Sequence, residues 1–206
     1  MAPNLITELD RQRIISAIKA AEARTAGEIY VVIDHKRHEH LAASFLMAAL
    51  AALLVGWPAY LVTTWSTPTI LLVQAATFAV VSVVVSFPKL HRMVVLPSFA
   101  ADHARRTAET QFMAHGIHLT EARTGVLVYV GLTDRRVEIV ADAGINSKVS
   151  QAEWDEMARE IEAAARQGKL ADGIVRVVKR AGDLLANHFP PLPNDRNELA
   201  DRVVEI

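Results

Sequence analysis

Residues 41–87 contain no Asp, Glu, Lys, Arg or His. These 47 positions interrupt a chain of 206 residues whose flanking segments hold all 22 Lys and Arg and all 23 Asp and Glu. An uncharged tract of that length is too long for the core of one soluble domain. It suffices for two membrane spans, because one span takes about 20 mostly apolar residues. The tract breaks at Thr63-Thr64-Trp65-Ser66-Thr67-Pro68, where polar residues and a proline favour a turn. The pattern predicts transmembrane helices over 41–62 and 69–87, joined as a hairpin.

The flanks set an orientation. Lys36 and Arg37 precede the first span, Lys89 and Arg92 follow the second, and the connecting loop has neither Lys nor Arg. Basic flanks stay on the cytoplasmic side. Both termini are therefore expected in the cytoplasm, in a two-span protein of the bacterial inner membrane. Trp57 and Trp65 suit the outer interface. Pro58 is tolerable because the second span packs beside it. Met1–Ile6 is too short for a cleavable signal, and charged residues follow at once. The spans carry no ionisable residue, which argues against an ion or proton path. Gln74 is expected to bond across the helix pair or between protomers.

A formal net charge of −1 gives no basic field for nucleic acid. Cysteine is absent, which excludes disulfides and thiol catalysis. The remaining residues suffice for one compact domain. Its expected parts are 1–40, a first helix and strand; 41–87, the hairpin; 88–189, the rest of the domain; and 190–206, a polar tail lying over the surface.

Thr7 is the expected N-cap of a helix with Leu9, Ile14, Ile18 and Ala21 as its apolar stripe. Glu28-Ile29-Tyr30-Val31-Val32-Ile33 reads as a strand apolar on both faces, as a covered central strand is. After the hairpin, residues 89–96 are expected along the membrane interface. Ser98 is the expected cap of a helix running to about Ala114, and Gly116 ends it. Residues 125–132 form a second strand, and 135–141 return as an antiparallel edge, alternating Val137, Ile139 and Ala141 against Arg136, Glu138 and Val140. Ser150-Gln151-Ala152-Glu153 is a capping box that opens a helix bearing Trp154, Met157, Ile161 and Ala165. Asp172 is the expected cap of the last helix, which Pro190-Pro191 stops. Strand, helical crossover, strand implies a parallel pair. The fold class is α/β, a three-layer α/β/α sandwich with a small mixed sheet, interrupted by the two-helix hairpin.

Gly125-Val126-Leu127-Val128-Tyr129-Val130, followed by Asp134-Arg135-Arg136-Val137-Glu138-Ile139-Val140-Ala141-Asp142-Ala143-Gly144-Ile145, resembles the core hairpin of the TPM domain family. Glu28–Asp34 is similar to the family's first strand, and His188-Phe189-Pro190 to the end of a bacterial membrane branch. The resemblance implies an α/β/α fold and membrane association. It also implies a phosphatase-like activity or divalent-cation binding, since some members are described as acid phosphatases or cation binders. The family's Gly-rich acidic loop is thinner here, at Asp142-Ala143-Gly144-Ile145-Asn146-Ser147-Lys148.

Ligand sites in open α/β sheets gather at the carboxyl ends of parallel strands. Asp34 and Asp134 stand at two such ends and are the candidate ligands for Ca²⁺ or Mg²⁺, which bind oxygen. Against this, Asp134 also reads as an ordinary turn residue. Lys36, Arg37, Lys89, Arg92, Arg135 and Arg136 are the candidate contacts to anionic headgroups, because the chain enters the membrane a few residues after Asp34. His35, His38 and His40 are interleaved with Lys36 and Arg37, which oppose a cation. The expected partners are the membrane, its anionic lipids and other membrane proteins. The expected role is that of a non-catalytic interaction or assembly module, the alternative being a weak metal-dependent phosphatase.

Overall fold

A computed structural model describes residues 6–35, 41–86, 97–120, 122–133, 135–191 and 203–206. The chain forms two compact units, one from residues 1–36 with 100–206 and one from residues 37–99.

In the first unit, a four-stranded sheet runs in the order β3-β2-β1-β4. Strands β1 (Glu28–Asp34) and β2 (Gly125–Gly131) are parallel, with Asp34 opposite Gly131 at their carboxyl ends. Strand β3 (Arg136–Ala141) lies antiparallel to β2, and β4 (Val203–Glu205) parallel to β1. Burial confirms the sequence periods. Every residue of β1 and β2 is buried, whereas β3 buries Val137, Ile139 and Ala141 and leaves the alternate positions half-exposed.

Helices cover both faces. On one, α1 (Glu8–Glu22), α6 (Gln151–Arg166) and α7 (Leu170–His188) enclose the larger core, which includes Ile14, Ile18, Val31, Val128, Trp154, Ile174 and Leu185. On the other, α4 (Pro97–Ala114) lays Ala104, Ala108 and Phe112 over Tyr30, Val32, Leu127 and Tyr129. A 3₁₀ turn at Ile117–Leu119 and a short helix, α5 (Ala143–Asn146), complete the connections.

Local chemistry explains the boundaries. Thr7 and Asp10 form a reciprocal capping box at α1, and Ser150 and Glu153 form another at α6. Gly116 adopts φ +68°, which lets the chain reverse after α4. Gly173 and Gly182 on α7 face Ala164 and Ala21, where an added Cβ would fall within 2.6 Å and 2.5 Å of the facing methyl groups. Both glycines are therefore required for close helix contact.

Four expectations fail locally. Ser98 does not cap α4, which already starts at Pro97. Leu9 is 72% exposed, because the buried stripe of α1 runs through Ile14, Ala17, Ile18 and Ala21 instead. Asp172 does not cap α7, which starts at Leu170. Its carboxylate accepts a bond from Arg13 Nη2 at 2.6 Å and so ties α7 to α1. The tail does not all lie over the surface, since Val203–Glu205 pairs with β1. The polar run 194–199 lies outside the described residues.

The second unit holds α2 (Leu41–Val62) and α3 (Thr67–Ser86), joined by residues 63–66 and packed against each other. Pro68 falls in the first turn of α3, where no N–H is needed. Phe45 and Phe78 stack with ring centroids 6.5 Å apart. Gln74 Nε2 donates to the Ala52 carbonyl across the pair at 3.4 Å. Its amide lies over Gly56, where a Cβ would collide with it. The outer surface is apolar, with Leu50, Leu53, Leu54, Trp57, Leu72 and Val80 all exposed. Within α3, residues Thr67–Val84 form a helix long and apolar enough to cross a membrane, and Ala48–Val62 of α2 is a shorter apolar stretch.

Candidate functional site

The carboxyl end of β1 places Asp34 on the face covered by α4, two residues beyond Val32 in the period of the strand. The side chain is only 2% exposed. A buried carboxylate needs hydrogen-bond donors to offset its lost hydration. Tyr129, on the adjacent strand and the same face, supplies one: its hydroxyl donates to Asp34 Oδ2 at 2.8 Å. Main-chain bonding closes the strand end, where Leu132 N–H donates to the Asp34 carbonyl at 3.0 Å.

Across β2 from this pair lies Glu138, the cross-strand partner of Tyr129. Burial pushes its carboxyl above the ordinary value, while Arg105 on α4 pulls it back down. Asp155 and Glu162 add to the rise, and Arg136 opposes it. The α4 face of the sheet therefore carries a phenol, a buried carboxylate and a carboxyl that holds its proton more tightly than usual.

The predicted site residues are distributed as follows. Asp34 stands where expected. Asp134 lies outside the described residues, as do Lys36, Arg37, Lys89 and Arg92. The interfacial segment 89–96, His38 and His40 share that position. Arg135 is exposed in a left-handed conformation, φ 53°, at the turn into β3. Arg136 is half-buried, its guanidinium 3.9 Å from Glu162 Oε1 at the sheet edge. His35 Nε2 reaches Glu205 Oε2 at 3.1 Å. The ring of His115 lies against Tyr30, with centroids 4.9 Å apart. Among the described residues no group of three His, Cys, Asp or Glu is placed to hold a metal ion. Asp34 alone does not fit a hard cation that takes 6–8 oxygens, and one of its oxygens already accepts from Tyr129.

At the opposite end of the sheet the thin acidic loop is put to structural use. Asp142 Oδ1 accepts from Ala143 N–H at 2.6 Å and caps α5. Its other oxygen faces Arg123 Nη1 at 3.7 Å. Thr25 and Thr124 bond the carbonyls of Phe189 and Ala26, and Glu22 Oε1 accepts the Ile29 N–H at 2.9 Å. These bonds pin the amino ends of β1 and β2.

Sequence reasoning missed Tyr129 and Glu138. A tyrosine inside an otherwise apolar strand was the available signal, because a buried hydroxyl demands a partner. Its position relative to Asp34 follows only once the parallel register is known.

Comparison with known proteins fits this geometry. The model of the TPM domain family matches residues 90–184, a little under half of the chain. The NMR structure of the BA42 protein from the psychrophilic bacterium Bizionia argentinensis superposes with a TM-score of 0.63 at 21% identity, covering 100% of this chain and 99% of that one. At that identity the likeness establishes the fold. No curated protein matches the sequence.

Proposed function

We propose that this chain is a membrane-anchored TPM-like protein whose α/β domain serves as an interaction or assembly module at the inner membrane. The observation that carries this reading is the helix pair α2/α3. Its outer surface is apolar all round, and its one amide side chain, Gln74, is turned inward to the Ala52 carbonyl. In water such a surface would aggregate, whereas in lipid it is the required one. An inward amide satisfied within the pair leaves a sealed anchor, not a pore lining. Lys36, Arg37, Lys89 and Arg92 flank the pair in sequence, and each is worth about 1 kcal/mol near an anionic surface. Arg135 and Arg136 remain proposed headgroup contacts of lesser weight, Arg136 because its guanidinium already faces Glu162.

Both spans are proposed to cross, with both termini in the cytoplasm. Reporter fusions after Ile206 and within residues 63–66 test this. A cytoplasm-active reporter at the C-terminus and a periplasm-active one in the loop are expected. The reverse pattern overturns the orientation, and cytoplasmic activity at both sites overturns the spanning hairpin.

The second reading is a weak Ca²⁺- or Mg²⁺-dependent phosphatase. It rests on the buried Asp34 at the carboxyl end of a parallel strand. Calorimetry with Mg²⁺ and Ca²⁺ on the protein in anionic nanodiscs, with an Asp34→Asn/Asp134→Asn control, decides it. Equal heats for the two proteins remove this reading.

A further inference from the structure

The free side of β1 is closed in two different ways. Near its start, Glu22 Oε1 accepts the Ile29 N–H. Near its end, β4 pairs with Val31, Val32 and Ile33. The hold on β4 has three parts. Ile206 N–H donates to the Ile33 carbonyl at 3.1 Å, and His35 N–H donates to the Ile206 carbonyl at 2.9 Å. Val203, 4% exposed, sits in the core on the α1 side, while Val204 and Ile206 pack on the α4 side. Glu205 is gripped from two directions: Arg11 Nη2 lies 2.8 Å from Oε1 and His35 Nε2 lies 3.1 Å from Oε2. Glu8, 3.7 Å from Arg11 Nε, is the other acid at this clasp.

These are the features by which a sheet edge reads an extended peptide. Main-chain bonds supply affinity, and alternating side-chain seats supply specificity. The seats here take a buried aliphatic side chain and then a carboxylate, on the face opposite Asp34. Both basic groups of the clasp are partly open to solvent, with side-chain exposures of 34% for Arg11 and 40% for His35. Among the described residues the occupant pairs through Val203–Glu205. We propose that the β1 edge is a receptor for an extended strand of a partner protein carrying two successive aliphatic residues followed by a carboxylate, and that Val203–Glu205 is its resident competitor. This rests on the interaction-module reading and names the surface that does the recognising.

The test uses the full chain in nanodiscs and a fluorescein-labelled peptide of this chain's residues 199–206, followed by anisotropy. Glu205→Arg sets like charges at the clasp and releases β4 from it, whereas Glu205→Gln is a milder release. Both are expected to bind the peptide about tenfold or more tightly than wild type, as loss of a charged hydrogen bond in the competitor implies. A peptide with Gln in place of Glu at the corresponding position should bind about tenfold more weakly to Glu205→Arg. Adding Arg11→Glu to Glu205→Arg should abolish that gain. Equal peptide binding by wild type and both folded variants overturns the proposal, as does indifference to the peptide's carboxylate. Two differently tagged full chains that co-purify through exchanged β4 strands would also overturn it, replacing the foreign partner with a second copy. Failure here leaves the membrane anchor standing, because the reporter fusions read the anchor alone.

Discussion

At the scale of the residue, the α4 face of the sheet concentrates the unusual electrostatics. Asp34 is buried and accepts from the Tyr129 hydroxyl. Tyr129→Phe removes that donor from a carboxyl group in a poorly hydrated place. The expected loss is about 1–3 kcal/mol of stability, read from denaturant unfolding in detergent. Glu138 behaves in the opposite sense. Burial raises its carboxyl, so the folded state binds the proton more tightly than the unfolded chain does. Its contribution is full below the ordinary value of 4.5 and is lost as pH rises through the raised value. Glu138→Gln should therefore be more stable than wild type at neutral pH. That advantage should shrink as pH falls through the raised value and be gone below 4.5. A melting-temperature series across pH checks both the sign and the window.

At the scale of the element, the strands were the most legible part of the sequence. Period-2 alternation at 136–141 and continuous apolar character at 29–33 and 126–130 correspond to an edge strand and two covered strands. The Thr7 cap and the Ser150–Glu153 capping box marked helix starts, because a local hydrogen bond between residues three apart needs no tertiary context. What depended on distant partners was not legible. Asp172 resembles a cap until Arg13 is brought beside it. Val203–Glu205 is too short to announce a strand, and its ionic partner Arg11 lies 194 residues away in sequence. The pairing of Asp34 with Tyr129 likewise needs the β1–β2 register. The register of β3 is itself testable. Ile139→Ala should cost about 2–5 kcal/mol as a buried truncation. Arg136→Ala, at a half-exposed edge position with a 3.9 Å ion pair, should cost under about 1 kcal/mol. Denaturant titration of the two variants gives the comparison, and the reverse ranking would mean the strand faces are exchanged.

At the scale of the whole molecule, an apolar helical hairpin interrupts the crossover of an α/β sheet without contributing to its core. Both core clusters draw their buried residues from within 1–36 and 100–206. The sheet's two central strands pair across the insertion over seven register positions. The insertion should then affect the α/β unit chiefly through loop closure, whose entropic cost grows only by about 0.6 kcal/mol per doubling of length. Replacing residues 37–99 with a Gly/Ser linker of about 15 residues, which spans roughly 20–23 Å on average, should leave the unit folded. The expected product needs no detergent, melts cooperatively and does not sediment with membranes, whereas the full chain does. On the proposed function the two roles separate: α2 and α3 would hold the protein in the membrane, and the sheet with its helices would do the recognising. A molten or insoluble product would show that the sheet draws stability from the hairpin. A folded product that still sediments with membranes would place a second membrane contact within the α/β unit itself, at groups such as Arg135 and Arg136.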